Sequence, residues 1–592
     1  MCGIVGYVGE RDCTDVLLDS LSKLEYRGYD SAGIAVFENG EITVEKAKGE
    51  LKNLREKVAE HKPKGHCGIG HTRWATHGEP SDINSHPHGN KRVSIVHNGI
   101  IENYKDIKNF LIEKGYTFIS ETDTETVAKL LDYYYEGDPV DAIIKTLKDV
   151  RGAYALGIVF KDFPDRIFAV RKDSPLIIGA GDEENFIASD VPAILKYTRN
   201  YYLLEENEIA TIKSDRVEFC DMHKLPIKKE IQVSNLDMDA AEKGGYEHFM
   251  LKEIHEQPNA VKTTITPRIV NGMPDLSECG LTLEALKNYR KLFIVACGTA
   301  MHAGMVGKYV IEKLARTEVT VDIASEFRYR KMPVNKNSLV IVISQSGETA
   351  DTLAALRLAK EKGITTLAIV NVVGSSIARE ADKVFYTLAG PEISVATTKA
   401  YSAQLVAMYC LAVQFARVRN TITEEQYGNY ITELLTIPDK IQKILQDKER
   451  LQWFAAKYAN AHDVFFVGRG IDYAISLEGS LKLKEISYIH SEAYAAGELK
   501  HGTISLIEPG TLVIGVLTQS DLYEKTISNM LECKSRGSYL MGLTTYGKYE
   551  IEDQVNFAVY VPKIDEHFVG SLAVVPLQLM GYYVSVAKGL DV

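Results

Sequence analysis

The sequence has no run of about 18 uninterrupted apolar residues, which argues against a membrane-spanning helix. It has no basic segment ahead of the short apolar run near its N-terminus, so that run does not read as a secretory signal. Basic residues are the minority: 68 Lys and Arg stand against 80 Asp and Glu, a net charge of −12. A surface of that sign repels phosphate backbones, so nucleic acid is not an expected partner. The eight cysteines (2, 13, 67, 220, 279, 297, 410 and 533) form no CxxC pair. Scattered thiols suit a reducing cytoplasm rather than a disulfide scaffold, and direct attention to single cysteines.

What is present is an ordinary globular composition, 45% hydrophobic and 25% charged. A chain of 592 residues exceeds what one core supports, so two to four domains are expected. The first 240 or so residues hold short β-type runs at Ile4–Val8, Gly33–Val36, Val93–Val96, Ala153–Val159 and Arg166–Val170, and a helical stretch at Glu125–Tyr135. Short connections predict mostly antiparallel sheets with helices packed on them. Lys224–Gln257 is charged and polar, with Gly244-Gly245, and reads as a connector. Beyond it, apolar strands alternate with long amphipathic helices, the pattern of a parallel sheet with crossovers.

That second part repeats itself. Leu292–Ala296 runs into Cys297-Gly298-Thr299 and a helix, and Val464–Val467 into Gly468-Arg469-Gly470 and a helix. Leu339–Ile343 ends in Ser344-Gln345-Ser346-Gly347, and Leu512–Leu517 in Thr518-Gln519-Ser520-Asp521. Cys297 and Gly468 are 171 residues apart, Ser344 and Thr518 174. Two similar α/β units in tandem explain the spacing.

Cys2 would open the chain once Met1 is removed. Its α-amine, with a reference pKa of about 7.7–8.0, could then act as base toward its own thiol. A retained Met1 would acylate that amine and block the chemistry. Gly3 would let a substrate approach the backbone. His71-Thr72-Arg73-Trp74-Ala75-Thr76-His77-Gly78 reads as a short loop carrying a cation, hydroxyls and two imidazoles. The Asn98 amide and the Gly99 N–H are plausible oxyanion donors, although Asn-Gly is also the strongest short hairpin signal. Glu121-Thr122-Asp123-Thr124-Glu125 opens a helix, where Thr or Asp serves as N-cap whatever else it does. The histidines at 61, 66, 71, 77, 86, 88 and 97 fit no zinc spacing, so no metal is expected.

Cys2-Gly3-Ile4-Val5-Gly6, Tyr26-Arg27-Gly28-Tyr29-Asp30-Ser31-Ala32-Gly33, HTRWATHG, His97-Asn98-Gly99 and Glu121-Thr122-Asp123 together resemble the glutaminase domain of the glutamine–fructose-6-phosphate aminotransferase (isomerising) family. The tandem repeat resembles that family's two sugar isomerase domains. The resemblance implies an α/β protein whose N-terminal-nucleophile glutaminase domain of stacked, mostly antiparallel sheets covers 1–240. A connector over 241–285 would follow. The first sugar isomerase domain, with the phosphate site, would cover 286–425 and the second 455–592, both with parallel sheets. The implied activity is conversion of L-glutamine and D-fructose 6-phosphate into L-glutamate and D-glucosamine 6-phosphate, the first step of hexosamine synthesis, without a cofactor.

By the same resemblance, Cys2 attacks the carboxamide, with Asn98 and Gly99 as oxyanion hole. Arg73 holds the glutamine carboxylate with Thr76 and His77 nearby, and Asp123 takes the ammonium. Trp74 gates an internal ammonia channel. Ser344, Gln345, Ser346 and Thr349 form a phosphate loop at a helix N-terminus, which is also the place of an ordinary serine-rich N-cap turn. Asp521 replaces the glycine in the second repeat, so one phosphate site per chain is expected. Thr299, Val395 and Thr397 line the sugar, although Val395–Lys399 also reads as a helix start. Glu478, Lys482 and Glu485 fall at i, i+4 and i+7 on one helix face. Glu485 resembles the base moving a proton between C1 and C2, with Lys482 and Glu478 as partners. His501 resembles the ring-opening histidine supplied by the neighbouring subunit, which implies a homodimer. The family's chain continues past Lys588–Val592 into a tail whose lysine forms a Schiff base with the sugar, and no residue here takes that role. That departure leaves a second expectation open, a glutaminase carrying a sugar-phosphate-binding regulatory module.

Overall fold

A computed structural model of the chain describes residues 2–25, 28–75, 77–234, 243–270, 273–331 and 335–592. The chain divides into two compact units, 1–241 and 242–592.

The first unit is built on an eight-stranded and a seven-stranded sheet, and every strand pair described within them is antiparallel. Gly3–Val8 lies between Cys67–Arg73 and Asn185–Ala188. Its side chains alternate as a strand of period two requires: Val5 and Tyr7 join the helix Cys13–Ser22 in one core, whereas Ile4 and Val8 join Val96, Ala155 and Val159 of the other sheet in a second. The outer face of that other sheet is covered by Tyr104–Glu113, Asp123–Tyr134 and Pro139–Asp149. The layers therefore run helix, sheet, sheet, helix.

Three expectations change here. Asn98-Gly99 is no hairpin turn, because the strand continues from Val93 to Ile101, with Asn98 opposite Ala155 and Gly99 opposite Tyr154. Gly99 has φ +130, and a Cβ there would lie 2.0 Å from the Ala153 carbonyl oxygen. Glycine is thus required by close backbone approach rather than by a turn. Likewise His71, Thr72 and Arg73 are not loop residues, because they finish the strand Cys67–Arg73. Gly3 is not an open approach to the backbone; its missing side chain leaves room for Thr72 and Leu24, whose nearest atoms would stand 2.6 and 2.8 Å from a Cβ.

In the second unit, two five-stranded parallel sheets share one strand order. Lys291–Ala296 lies between Glu318–Ile323 and Ser338–Ser344, and Asp463–Gly468 between His490–Ala495 and Leu512–Val516. The repeat read from spacing is therefore a repeat of topology. One continuous core joins both halves, and within it Lys399–Arg419 is buried from its first residue to Ala416. The segment expected to be a connector holds the helix Phe249–Ile265, and Met250, Ile254, Val261 and Ile265 belong to that same core. Its polar composition hid an apolar stripe of helical period. Gly570–Ala587 is the one helix among the described residues long and apolar enough to cross a membrane, and 89% of it is buried within the protein.

Candidate functional site

At the start of the first unit, the Cys2 thiol rests on the peptide of Trp74. The Trp74 N–H donates to Sγ at 3.2 Å, and the thiol reaches the Trp74 carbonyl at 3.5 Å. The Asn98 Nδ2 donates to the Cys2 carbonyl at 2.9 Å. Arg73 is buried, and one guanidinium nitrogen donates to the carbonyls of His77 and, at 2.9 Å, Gly78. Its Nη1 is buried without a hydrogen-bond partner among the described residues. Burial lowers the Arg73 pKa, while Cys2, Asp30 and Asp123 lie close enough for their charges to oppose that shift. A buried cation with an unused donor is suited to a carboxylate.

Asp123 opens the helix Asp123–Tyr134, where Thr122 is the N-cap accepting from Glu125 N–H, and Asp123 Oδ2 accepts from Ile101 N–H at 2.9 Å. The His77 ring stands edge-on to Tyr104 at 5.6 Å. Thr76, Met1, Tyr26 and Arg27 lie outside the described residues. The structure thus gathers Cys2, Arg73, Trp74, Asn98 and Asp123 into one neighbourhood. The 26–33 motif contributes support: Asp30 accepts from Ala75 N–H at 2.8 Å and its own N–H donates to the Arg73 carbonyl at 3.0 Å. A Cβ on Gly28 would lie 2.6 Å from the Arg73 carbonyl carbon and 2.7 Å from Trp74 N, the group that meets the thiol.

In the second unit, Ser344 ends a buried strand and Ala350 starts the helix Ala350–Glu361. Ser344 Oγ accepts from Gly347 N–H at 3.0 Å and lies 2.9 Å from Thr349 Oγ1, and Ser346 Oγ accepts from Glu348 N–H at 3.2 Å. Gln345 contributes its carbonyl to Asn371 N–H. The Thr349 hydroxyl makes no capping hydrogen bond to the helix it precedes, which leaves the helix N-terminus able to receive an anion. Gly347 has φ +67, and a Cβ there would fall 2.0 Å from Ser375 Oγ. That hydroxyl is buried without a partner among the described residues.

Cys297 is the N-cap of the helix Gly298–Ala315, and its Sγ lies 3.8 Å from Thr352 Oγ1 in the helix that follows this loop. Thr299 Oγ1 donates to Glu478 Oε1 at 3.1 Å, and His302 Nδ1 lies 2.7 Å from Glu478 Oε2. On the helix Ile471–Ser487, Lys482 Nζ is 3.6 Å from Glu478 and 2.7 Å from Glu485. Burial would raise the Glu478 pKa, but Lys482 and then His302 outweigh it and hold the carboxyl below its ordinary value. Burial likewise opposes Lys482, but Glu478 and Glu485 keep its ammonium above its ordinary pKa. A row of paired charges in which Glu478 and Lys482 are fully buried and Glu485 partly so marks a site more than a surface ladder.

Lys399 does begin a helix, and Glu392 Oε1 caps it by accepting from Thr398 and Ala400 N–H at 2.9 and 3.1 Å. Glu392 is near enough to Lys482 for their charges to interact, while Val395 is exposed and Thr397 half-buried beside it. His501 ends the short turn Ala496–His501 and is exposed, and among the described residues no hydrogen bond or ion pair joins it to Glu478, Lys482 or Glu485.

In the second repeat Asp521 is exposed, and the chain itself engages the N–H groups of the corresponding loop. The Thr518 and Gln519 N–H groups donate to Asp472 Oδ2 at 2.9 and 3.2 Å, and Ser520 N–H to Glu566 Oε1 at 3.0 Å. Two carboxylates of the protein itself occupy the donors. Sequence reasoning passed over Asp472, Glu566 and Ser375, and named Asp30 within its motif without giving it a role. It also passed over His302, although His302 stands three residues after Thr299 and so on the same helix face.

Residues 71–196 match the glutamine amidotransferase domain family, and residues 285–414 and 457–588 each match the SIS domain family. The glutamine–fructose-6-phosphate aminotransferase (isomerizing) of Caldanaerobacter subterraneus subsp. tengcongensis is 58% identical over 595 residues, covering 100% of this chain and 98% of that protein. Its namesake in Clostridium acetobutylicum is 56% identical with the same coverage. Among solved structures, the C-terminal domain of glucosamine-fructose-6-phosphate aminotransferase from Francisella tularensis is 40% identical with a TM-score of 0.57, covering 59% of this chain and 99% of that one.

Proposed function

The chain belongs to the glutamine–fructose-6-phosphate aminotransferase (isomerising) family, and from that premise we propose how its residues move nitrogen from an amide to a sugar. The enzyme converts L-glutamine and D-fructose 6-phosphate into L-glutamate and D-glucosamine 6-phosphate. The regulatory-module alternative is not favoured beside relatives of one name that match the whole chain.

In this reading Arg73 and Asp123 clamp the two charges of glutamine, with Thr76 and His77 beside them. The Cys2 sulfur, deprotonated by the α-amine, adds to the side-chain carbonyl carbon. The resulting oxyanion is met by Asn98 Nδ2 and Gly99 N–H. Collapse expels ammonia and leaves a thioester, which water hydrolyses to glutamate. The observation that carries this is the Cys2 thiol seated on the Trp74 peptide beside a buried Arg73 whose Nη1 has no hydrogen-bond partner among the described residues.

On the sugar side, Ser344, Gln345, Ser346 and Thr349 take the phosphate, and Thr299, Val395 and Thr397 border the carbon chain. His501, supplied across a homodimer, opens the ring. Ammonia adds to the C2 carbonyl and water leaves. Glu485 then carries a proton from C1 to C2 while Lys482 and Glu478 hold it in place. We assign the domains as 1–240, 241–285, 286–425 and 455–592, and the reaction to the cytoplasm, where the Cys2 thiol stays reduced.

Incubation with amide-¹⁵N-glutamine and fructose 6-phosphate should give ¹⁵N-labelled glucosamine 6-phosphate equimolar with glutamate. Glutamate without amino sugar would overturn this reading. Two variants test its parts. Trp74→Ala, if Trp74 gates ammonia transfer, should still hydrolyse glutamine while the ratio of amino sugar to glutamate falls well below one. Gly347→Ala should raise the KM for fructose 6-phosphate roughly tenfold or more, since its left-handed φ alone costs about 1–3 kcal/mol, with glutamine hydrolysis unchanged.

A further inference from the structure

Behind Asn98 lies a group of imidazoles that the reaction does not consume: His71, His86, His88 and His97, all buried. We propose that His71 is a positioning residue of the glutaminase site, its Nε2–H fixing which end of the Asn98 amide faces Cys2. The inference rests on the assignment of Asn98 as an oxyanion donor.

An asparagine amide has two ends of nearly equal shape and opposite polarity. With Nδ2 toward Cys2 it donates to the Cys2 carbonyl and keeps a second hydrogen for an oxyanion. Turned over, it would present an oxygen to both and repel the charge it has to stabilise. What decides between the two is the partner of Oδ1. His71 Nε2 lies 3.0 Å from Asn98 Oδ1 and 3.1 Å from the His97 carbonyl oxygen. The backbone carbonyl can only accept, so Nε2 has to carry the hydrogen, and the amide atom beside it has to be the oxygen.

The other ring nitrogen agrees. His71 Nδ1 is buried with no hydrogen-bond partner among the described residues, so a proton there would have no acceptor. Burial, with the His97 and Arg73 charges adding to it, pushes the His71 pKa down to about 3. The ring therefore stays neutral, in one tautomer, throughout the working pH range.

The remaining histidines fix the ring in place. His71 stacks on His86 at 4.0 Å between centroids, with the planes 11° apart. His86 Nδ1 accepts from the His97 N–H at 3.2 Å, which leaves its Nε2–H for Thr124 Oγ1 at 3.4 Å. Thr124 also meets His97 Nδ1 at 2.9 Å, from the helix that Asp123 opens. Each nitrogen of this group with a partner meets a backbone group, a hydroxyl or the Asn98 amide. Among the described residues no metal-holding group is found. The array is a scaffold for a tautomer.

The test uses the full-length enzyme and the γ-aldehyde analogue of glutamine, whose hemithioacetal with Cys2 places an oxygen where the oxyanion forms. His71→Leu should lower the kcat for glutamine hydrolysis about 10–100-fold, short of the roughly 10²–10³-fold that outright loss of an oxyanion donor costs. Its KM for glutamine should stay close to the parent's, and affinity for the aldehyde should fall by the same factor as kcat. His71→Gln, which can offer an N–H at the same place, should restore most of both. Ammonia-driven synthesis should be unchanged in either variant. An unimpaired His71→Leu beside an impaired Asn98→Ala would overturn the inference alone. An Asn98→Ala enzyme that binds the aldehyde as tightly as the parent would overturn the role of Asn98 and the inference with it. If His71→Leu does not fold, a folded His71→Gln as impaired as Asn98→Ala overturns it.

Discussion

The Glu485→Gln enzyme is expected to form glucosamine 6-phosphate about 10²–10⁴-fold more slowly, whether nitrogen comes from glutamine or from ammonia, and to hydrolyse glutamine at the parent's rate. Glutamine keeps the shape of the side chain and can still reach Lys482, which Glu485 meets at 2.7 Å. What it loses is the ability to take a proton from C1 and return it at C2. Lys482 is buried, and removing one of its two carboxylates leaves Glu478, whose own partners Thr299 and His302 stay in place. The ammonium is therefore not stranded, and the fold should survive. Two measurements separate chemistry from binding: the KM for fructose 6-phosphate, expected within a few-fold of the parent's, and exchange of the C1 hydrogen with deuterated solvent, expected to vanish. Exchange at the parent's rate would remove Glu485 from the proton transfer.

Much of this was legible because chemistry and local rules coincide. Ser344 to Thr349 reads as a strand-to-helix anion loop, and the helix does begin at Ala350. Glu478, Lys482 and Glu485 read as one face, and the structure pairs them. The repeat read from the spacing of strand ends returns as one strand order in two sheets.

What was not legible depends on partners distant in sequence. Asn98-Gly99 carries a turn signal, yet it sits mid-strand because Ala155 and Tyr154 pair across it, and no local rule shows that neighbour. The 249–265 helix looks like linker because its polar residues outnumber the few that meet the core. Asp521 could be read locally as an obstacle to a second phosphate site, whereas the engagement of the loop donors by Asp472 and Glu566, each 46 residues away, could not. His71 is invisible as a positioning residue until its ring is seen between Asn98 and His86.

The second large effect concerns Cys2. Alanine at this position removes the nucleophile and keeps everything that frames it: the Trp74 N–H, the buried Arg73 guanidinium, the Asn98 amide and the Asp123 carboxylate. Binding of glutamine should therefore persist while hydrolysis stops, since neither the α-amine nor any other thiol can replace a sulfur held 3.2 Å from the Trp74 amide. None of the sugar-side residues lies in the first unit, so their chemistry is independent of the thiol as long as nitrogen is supplied. The measurement that bears most directly on the account is glucosamine 6-phosphate formation by Cys2→Ala with glutamine and, in parallel, with ammonium salt at a pH where free ammonia is present. The account predicts no product from glutamine and a rate near the parent's from ammonia. Product from glutamine at the parent's rate would contradict it.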